Sequence, residues 1–158
     1  MHPRAEEFAS RVREEYGVDI EVREFPEGTK TAAAAAEAVG CETGQIASSL
    51  VFEVDGDPVV VVASGANRVS EEKLAARLGA APERVSMADA ETVREVTGWS
   101  IGGVPPLCHA ADPPVLFDES LTAYGTVWAA AGTPTAVFPL DPDSLARLAD
   151  ADPADVAE

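Results

Sequence analysis

Ile46-Ala47-Ser48-Ser49-Leu50-Val51-Phe52-Glu53-Val54, then Asp55-Gly56, then the return from Pro58 to Ala63, decides the fold class. An extended run reaches an Asp-Gly pair and a second apolar run comes back from it, which predicts a β-hairpin. Alternate side chains of a strand share a face. Ser48, Leu50 and Phe52 are therefore expected on one side of the first strand, and Ala47, Ser49 and Val51 on the other.

Upstream of the hairpin, Thr31 is placed to cap a helix over Ala32 to Val39, which Gly40 closes. Pro26-Glu27-Gly28 reads as a turn. Val18, Ile20 and Val22 alternate with Asp19, Glu21 and Arg23, which predicts a half-buried strand. Ala5, Phe8, Val12 and Tyr16 recur at helical spacing from Pro3 to Tyr16, and Gly17 follows as a stop. Downstream, Ser70 can cap a helix through Leu78, ended by Gly79. A short strand is expected within Pro82 to Ser86. Asp89 can cap a helix through Val96 that Gly98 ends. Trp99-Ser100-Ile101-Gly102-Gly103-Val104-Pro105-Pro106 suits neither helix nor strand and predicts a shaped loop. Val115 to Phe117 reads as a strand. Thr126 to Ala130 and Thr135 to Phe138 read as a hairpin around Gly132, and Asp141 to Leu148 as a helix. The acidic tail, about 150–158, is expected to fray. No repeat and no long linker divides the chain, so the expectation is one α/β (α+β) domain with a mixed sheet and helices packed around it.

The chain has 158 residues, 46% of them hydrophobic, with a mean hydropathy of +0.01, which suffices for a core and argues against disorder. No apolar run approaches the ~20 residues of a membrane span. The start, Met1-His2-Pro3-Arg4-Ala5-Glu6-Glu7, has acids where a signal peptide is apolar. A cytoplasmic protein without membrane partners is expected. Asp+Glu number 28 against Lys+Arg 11, a net charge of -17, and Lys30 and Lys73 are the only lysines. Such an acidic, lysine-poor, alanine-rich surface suits a salt-accumulating, halophilic cytoplasm, where the Debye length falls to ~3 Å at 1 M. At low salt this charge repels nucleic acid; in molar salt the repulsion is screened and contacts become local. Cys41 and Cys108 are far apart, and only His2 and His109 add imidazoles, so no zinc site and no cofactor are expected.

Several segments share one recognisable order: Thr29-Lys30-Thr31 before the alanine-rich helix, Gly44 to Phe52, Ala63-Ser64-Gly65, Thr97 to Pro106, Val115 to Leu121, and Ala130-Ala131-Gly132-Thr133-Pro134. In this order and spacing the chain resembles the YbaK/EbsC family, also called the prolyl-tRNA-synthetase-associated or aminoacyl-tRNA editing domain, over roughly Val18 to Leu148. The resemblance implies a compact mixed-sheet domain and a free-standing deacylase that hydrolyses mischarged aminoacyl-tRNA in trans. Its implied partners are a mischarged tRNA, or its aminoacyl group, and an aminoacyl-tRNA synthetase. A binding module that has lost hydrolysis, or a translation-associated interaction protein, are the competing readings.

Two departures fall on the implied site. The family usually has lysine where this chain has Ser48, and glycine where it has Cys108, before His109. Deacylation needs a placed water and a stabilised oxyanion, and a Gly-rich loop can bring main-chain donors close. Gly102 and Gly103 are therefore expected to hold the carbonyl, with Ser48 in the place of the usual cation. Lys30, Thr31, Ser49, Val104, Pro105, His109 and Asp118 are expected to line the substrate site. Ser48 or Cys108 as a nucleophile would need His109 as its base.

Overall fold

The computed structural model describes residues 1–25 and 31–158. The expected turn at Pro26-Glu27-Gly28 and the candidate Lys30 lie outside the described residues.

The expected hairpin is present. Strands β2 (Ile46–Val54) and β3 (Asp57–Ser64) pair antiparallel from Ala47↔Ser64 to Val54↔Asp57. Asp55 (φ 54) and Gly56 (φ 84) both adopt the left-handed conformation that a tight hairpin turn requires. Around it lie β1 (Arg23–Glu24), β4 (Val85–Met87), β5 (Val115–Asp118), β6 (Val127–Ala130), β7 (Ala136–Leu140) and β8 (Asp152–Ala154). They form one mixed sheet in the order β1-β7-β6-β2-β3-β5-β8, with β4 also paired to β2. The β2–β6, β3–β5 and β5–β8 pairs are parallel.

Helices cover both faces. Side chains of α1 (Pro3–Tyr16), α4 (Ala90–Thr97) and α5 (Pro142–Leu148) join Val60, Val62, Phe117 and Phe138 in the larger core. On the opposite face α3 (Glu71–Leu78) packs on Val59, Val61 and Phe52, and α2 (Ala32–Val39) packs on Ile46, Trp128 and Val137. Side-chain oxygens cap helix starts as the sequence implies at three places: Thr31 accepts from Ala34 N–H, Ser70 from Lys73 and Asp89 from Thr92; Asp141, expected inside its helix, also caps it, accepting from Ser144 N–H. The segment expected as a strand at Pro82 to Ser86 begins as a 3-10 turn (Pro82–Arg84) and enters the sheet only at Val85.

Two expectations need correction. The alternation at Val18, Ile20 and Val22 reports half-burial against the core, but the ladder exists only at Arg23–Glu24. The register Arg23↔Val137 would set Glu21 opposite Pro139. Thr135 O accepts from Phe25 N–H, so odd residues of β7 face this edge, and Pro139 has no N–H to offer there. The acidic tail does not fray. β8 pairs with β5, Ala154 and Val156 are buried, and Val156 O accepts from Ser70 N–H. Lys73 Nζ donates to Asp155 Oδ1 (2.9 Å) and Ala157 O (2.7 Å). Small apolar residues two apart face inward while Asp152 and Asp155 face water, so a high acid count hid a strand.

Candidate functional site

β3 accompanies β2 along nearly its whole length, but the other edge of β2 is shared. β6 pairs with it at Ile46 and Ala47, and β4 at Phe52–Val54. An opening remains from Ser48 to Val51. Ile46 O accepts from Gly65 N–H on the β3 side, whereas Val51 O accepts from Ala88 N–H on the open side. Main-chain direction alternates along a strand, so Ser49, two residues before Val51, turns its N–H and C=O toward the opening.

A cavity of about 270 Å³ occupies this break and draws its walls from both faces of the sheet. Thr31, Ala32 and Ala35 enclose it from α2, and Trp128, Ala130 and Val137 from β6 and β7. Val93 of α4 and Ala88 close the other side, and Gly102 and Val104 bring the glycine–proline bend against it. Ser48 and Ser49 both line it. The Ser49 hydroxyl is buried without a hydrogen-bond partner among the described residues. That is an unfavourable arrangement for a hydroxyl in an apolar wall unless something else occupies the cavity. The half-buried Ser48 hydroxyl also has no partner among the described residues.

The bend is fixed by particular contacts. Gly102 has φ +89, a conformation that suits glycine. Gly103 is buried, and its N–H donates to Ser100 O at 3.0 Å. The Gly103 N–H, expected to hold a carbonyl, closes the turn in this structure, and the residue is not among those lining the cavity. Its lack of a side chain serves packing, because a Cβ there would meet the Thr133 main chain at 2.7–2.9 Å. Pro105 is buried behind the bend and accepts a hydrogen bond from His109 Nε2 at 2.7 Å. A carbonyl can only accept, so Nε2 carries the proton. Burial lowers the His109 pKa below its ordinary value, against the bond to Pro105 and the nearby Asp112 carboxylate, which raise it.

The structure does not bring every candidate together. His109 lines a separate cavity with Cys108, Glu15 and Tyr16, so among the described residues that line the cavity none is a base for Ser48. Burial and the Glu15 carboxylate push the Cys108 thiol up to about 11, leaving it a poor nucleophile at neutral pH. Cys108 has φ 64, the left-handed geometry that glycine occupies most readily. Asp118 is buried at the end of β5, away from the cavity lining. Its carboxylate accepts from Ser64 N–H (3.0 Å), Asn67 Nδ2 (3.1 Å) and Ser120 N–H (2.9 Å). Burial raises its pKa, but these hydrogen bonds prevail and hold it below the usual carboxylate range. Trp128 is a cavity wall, and Arg23 lies over its ring at 4.9 Å. Among the described residues no cluster of His, Cys, Asp or Glu could hold a metal ion.

The chain thus combines a mixed sheet open at one strand edge with a largely apolar cavity in the opening and a glycine–proline bend against it. The aminoacyl-tRNA editing domain matches residues 26–148, and the chain belongs to that family. An uncharacterized protein of Bacillus subtilis, YwhH, is 35% identical over 129 residues, covering 81% of this chain and 80% of its own. A proline–tRNA ligase of Lysinibacillus sphaericus is 34% identical over 76 residues, 48% of this chain but only 13% of the ligase. A crystal structure provisionally described as a trans-editing enzyme for prolyl tRNA synthetase superposes with a TM-score of 0.93 at 39% identity, covering 100% of this chain and 99% of that one.

Proposed function

We propose that this protein hydrolyses the ester of a mischarged aminoacyl-tRNA, acting as a separate chain rather than as part of a synthetase. The carrying observation is the 270 Å³ cavity that gathers Ser48, Ser49, Thr31, Gly102 and Val104 at the break in the sheet. Family membership supports the reaction class, and the end-to-end match to a structure described as a trans-editing enzyme supports action in trans. The acyl side chain enters the apolar cavity. The Ser49 N–H and hydroxyl and the Gly102 main chain border the place where the ester carbonyl comes to rest, and a water attacks it there. Ser48 supplies a hydroxyl where the family resemblance leads one to expect a cation. Lys30, which precedes Thr31 in the sequence, is the candidate to supply that charge. A mischarged tRNA is the substrate, and an aminoacyl-tRNA synthetase is the partner whose errors it corrects.

The test is a deacylation screen over mischarged tRNAs in molar KCl, the medium the surface charge suits. Release of at least one amino acid above the uncatalysed rate is expected; none from any tRNA refutes the reading. The missing cation favours a second reading, an amino-acid-binding module with weakened hydrolysis. Ser48→Lys separates the two. Adding one oxyanion-stabilising group is worth ~10²–10³ in rate, so a gain of that size marks a weakened enzyme, and an unchanged, substantial rate shows that the native site is already competent.

A further inference from the structure

Five large apolar side chains are well exposed among the described residues, and two of them stand on the lips of this one cavity: Met87 at 57% and Ile101 at 56%. Met87 ends β4, and Ile101 is at the tip of the glycine–proline bend. They approach the cavity from different elements. Neither belongs to a buried cluster among the described residues. The chain carries 28 acids, yet among the described residues none lines the cavity. The described lining of the mouth therefore sets no carboxylate against an anionic carrier.

The cavity also sets what must stay outside. At about 270 Å³ it lies below the ~300–1,000 Å³ of pockets that enclose a drug-sized ligand. It accommodates an acyl group but not the nucleoside to which the acyl group is esterified. Resting on the proposed function, we propose that Met87 and Ile101 form a clamp for the terminal nucleoside of the substrate, gripping the flat base between a thioether and a branched aliphatic side chain. Thioether sulfur makes favourable contacts with aromatic rings, and both side chains lose exposed apolar surface when the base is seated. The base is neutral and flat, so the contact tolerates salt.

The experiment uses a non-hydrolysable adenosine bearing the aminoacyl group through a 3′-amide, with the same aminoacyl group as a methylamide for comparison. Dissociation constants are measured by calorimetry for the native protein, Met87→Ala, Ile101→Ala and the control Leu78→Ala, an exposed apolar residue on α3. The two lip variants are expected to weaken the adenosine ligand by roughly five- to tenfold each. The methylamide should bind all four proteins alike, and Leu78→Ala should bind the adenosine ligand like the native protein. All variants alter exposed side chains, and their melting temperatures confirm the fold. Equal affinity of native and lip variants for the adenosine ligand overturns the clamp, as does an equal loss on the methylamide. Because the readout is binding, a native protein that binds the adenosine ligand through its lips but hydrolyses no ester refutes the deacylase and leaves the clamp standing.

Discussion

Gly103→Ala tests whether the bend is held by main-chain contact. A Cβ at this position would lie 2.7 Å from Thr133 Cα, 2.8 Å from its carbonyl carbon and 2.9 Å from its nitrogen. The 2.7 Å separation must open to about 3.4 Å before ordinary contact is restored. Neither side yields easily. Thr133 is buried and its carbonyl accepts from Ala136 N–H, while Gly103 N–H is tied to Ser100. Overpacking of this kind costs ~1–3 kcal/mol. At about 2–4 °C per kcal/mol for a domain of this size, the melting temperature should fall by roughly 2–12 °C. The bend also carries Gly102 and Val104 into the cavity, so affinity for an aminoacyl ligand should drop in the folded variant. Gly102→Ala is the contrast: nothing is nearer than Pro134 Cγ at 3.5 Å, and its penalty comes from φ +89 instead, at ~1–2 kcal/mol. Thermal melts and ligand titration of both variants decide the matter. A Gly103→Ala protein that melts and binds like the native one would refute the packing argument.

Asp118→Ala strips the acceptor from three hydrogen bonds and orphans the buried Ser64 N–H, so a loss of about 2–5 kcal/mol is expected from denaturant melts. Val156→Ala should cost ~1.5–3 kcal/mol, because Val156 is fully buried in the core beside β8; a frayed tail would show no change. His109 is held neutral by burial and takes up its proton more readily when unfolded, so its contribution is complete above about pH 6.5 and falls as the pH drops below that. His109→Gln should flatten that part of the stability profile, as read from urea melts at stepped pH.

The elements most legible in the sequence are those whose signal is local. Asp55-Gly56 fixes the hairpin turn by main-chain conformation alone, and Thr31, Ser70, Asp89 and Asp141 cap their helices within one turn of themselves. What the sequence hid depends on distant residues. Whether Val18 to Val22 form a ladder is decided by Pro139, more than a hundred positions away. Whether the tail is a strand is decided by the free edge of β5. At the site, Ser48, Ser49 and Gly102 could be proposed because they stand in recognisable segments. Met87 and Trp128 could not, since nothing near them marks a cavity wall. A buried carboxylate serving three N–H groups, as at Asp118, and a glycine pressed against another main chain, as at Gly103, read from sequence just as pocket residues do.

The break in β2 has a consequence for solubility. An outer sheet rim offers a continuous template to any extended segment that collides with it, which is how sheets come to stack into fibres. Here the exposed rungs are penned between two strands that stop a newcomer at either end. A small molecule can dock on them, while a foreign polypeptide finds too few in a row to take hold. The domain can therefore keep an unsatisfied stretch of backbone open to its ligand without offering its own copies a long rim to join.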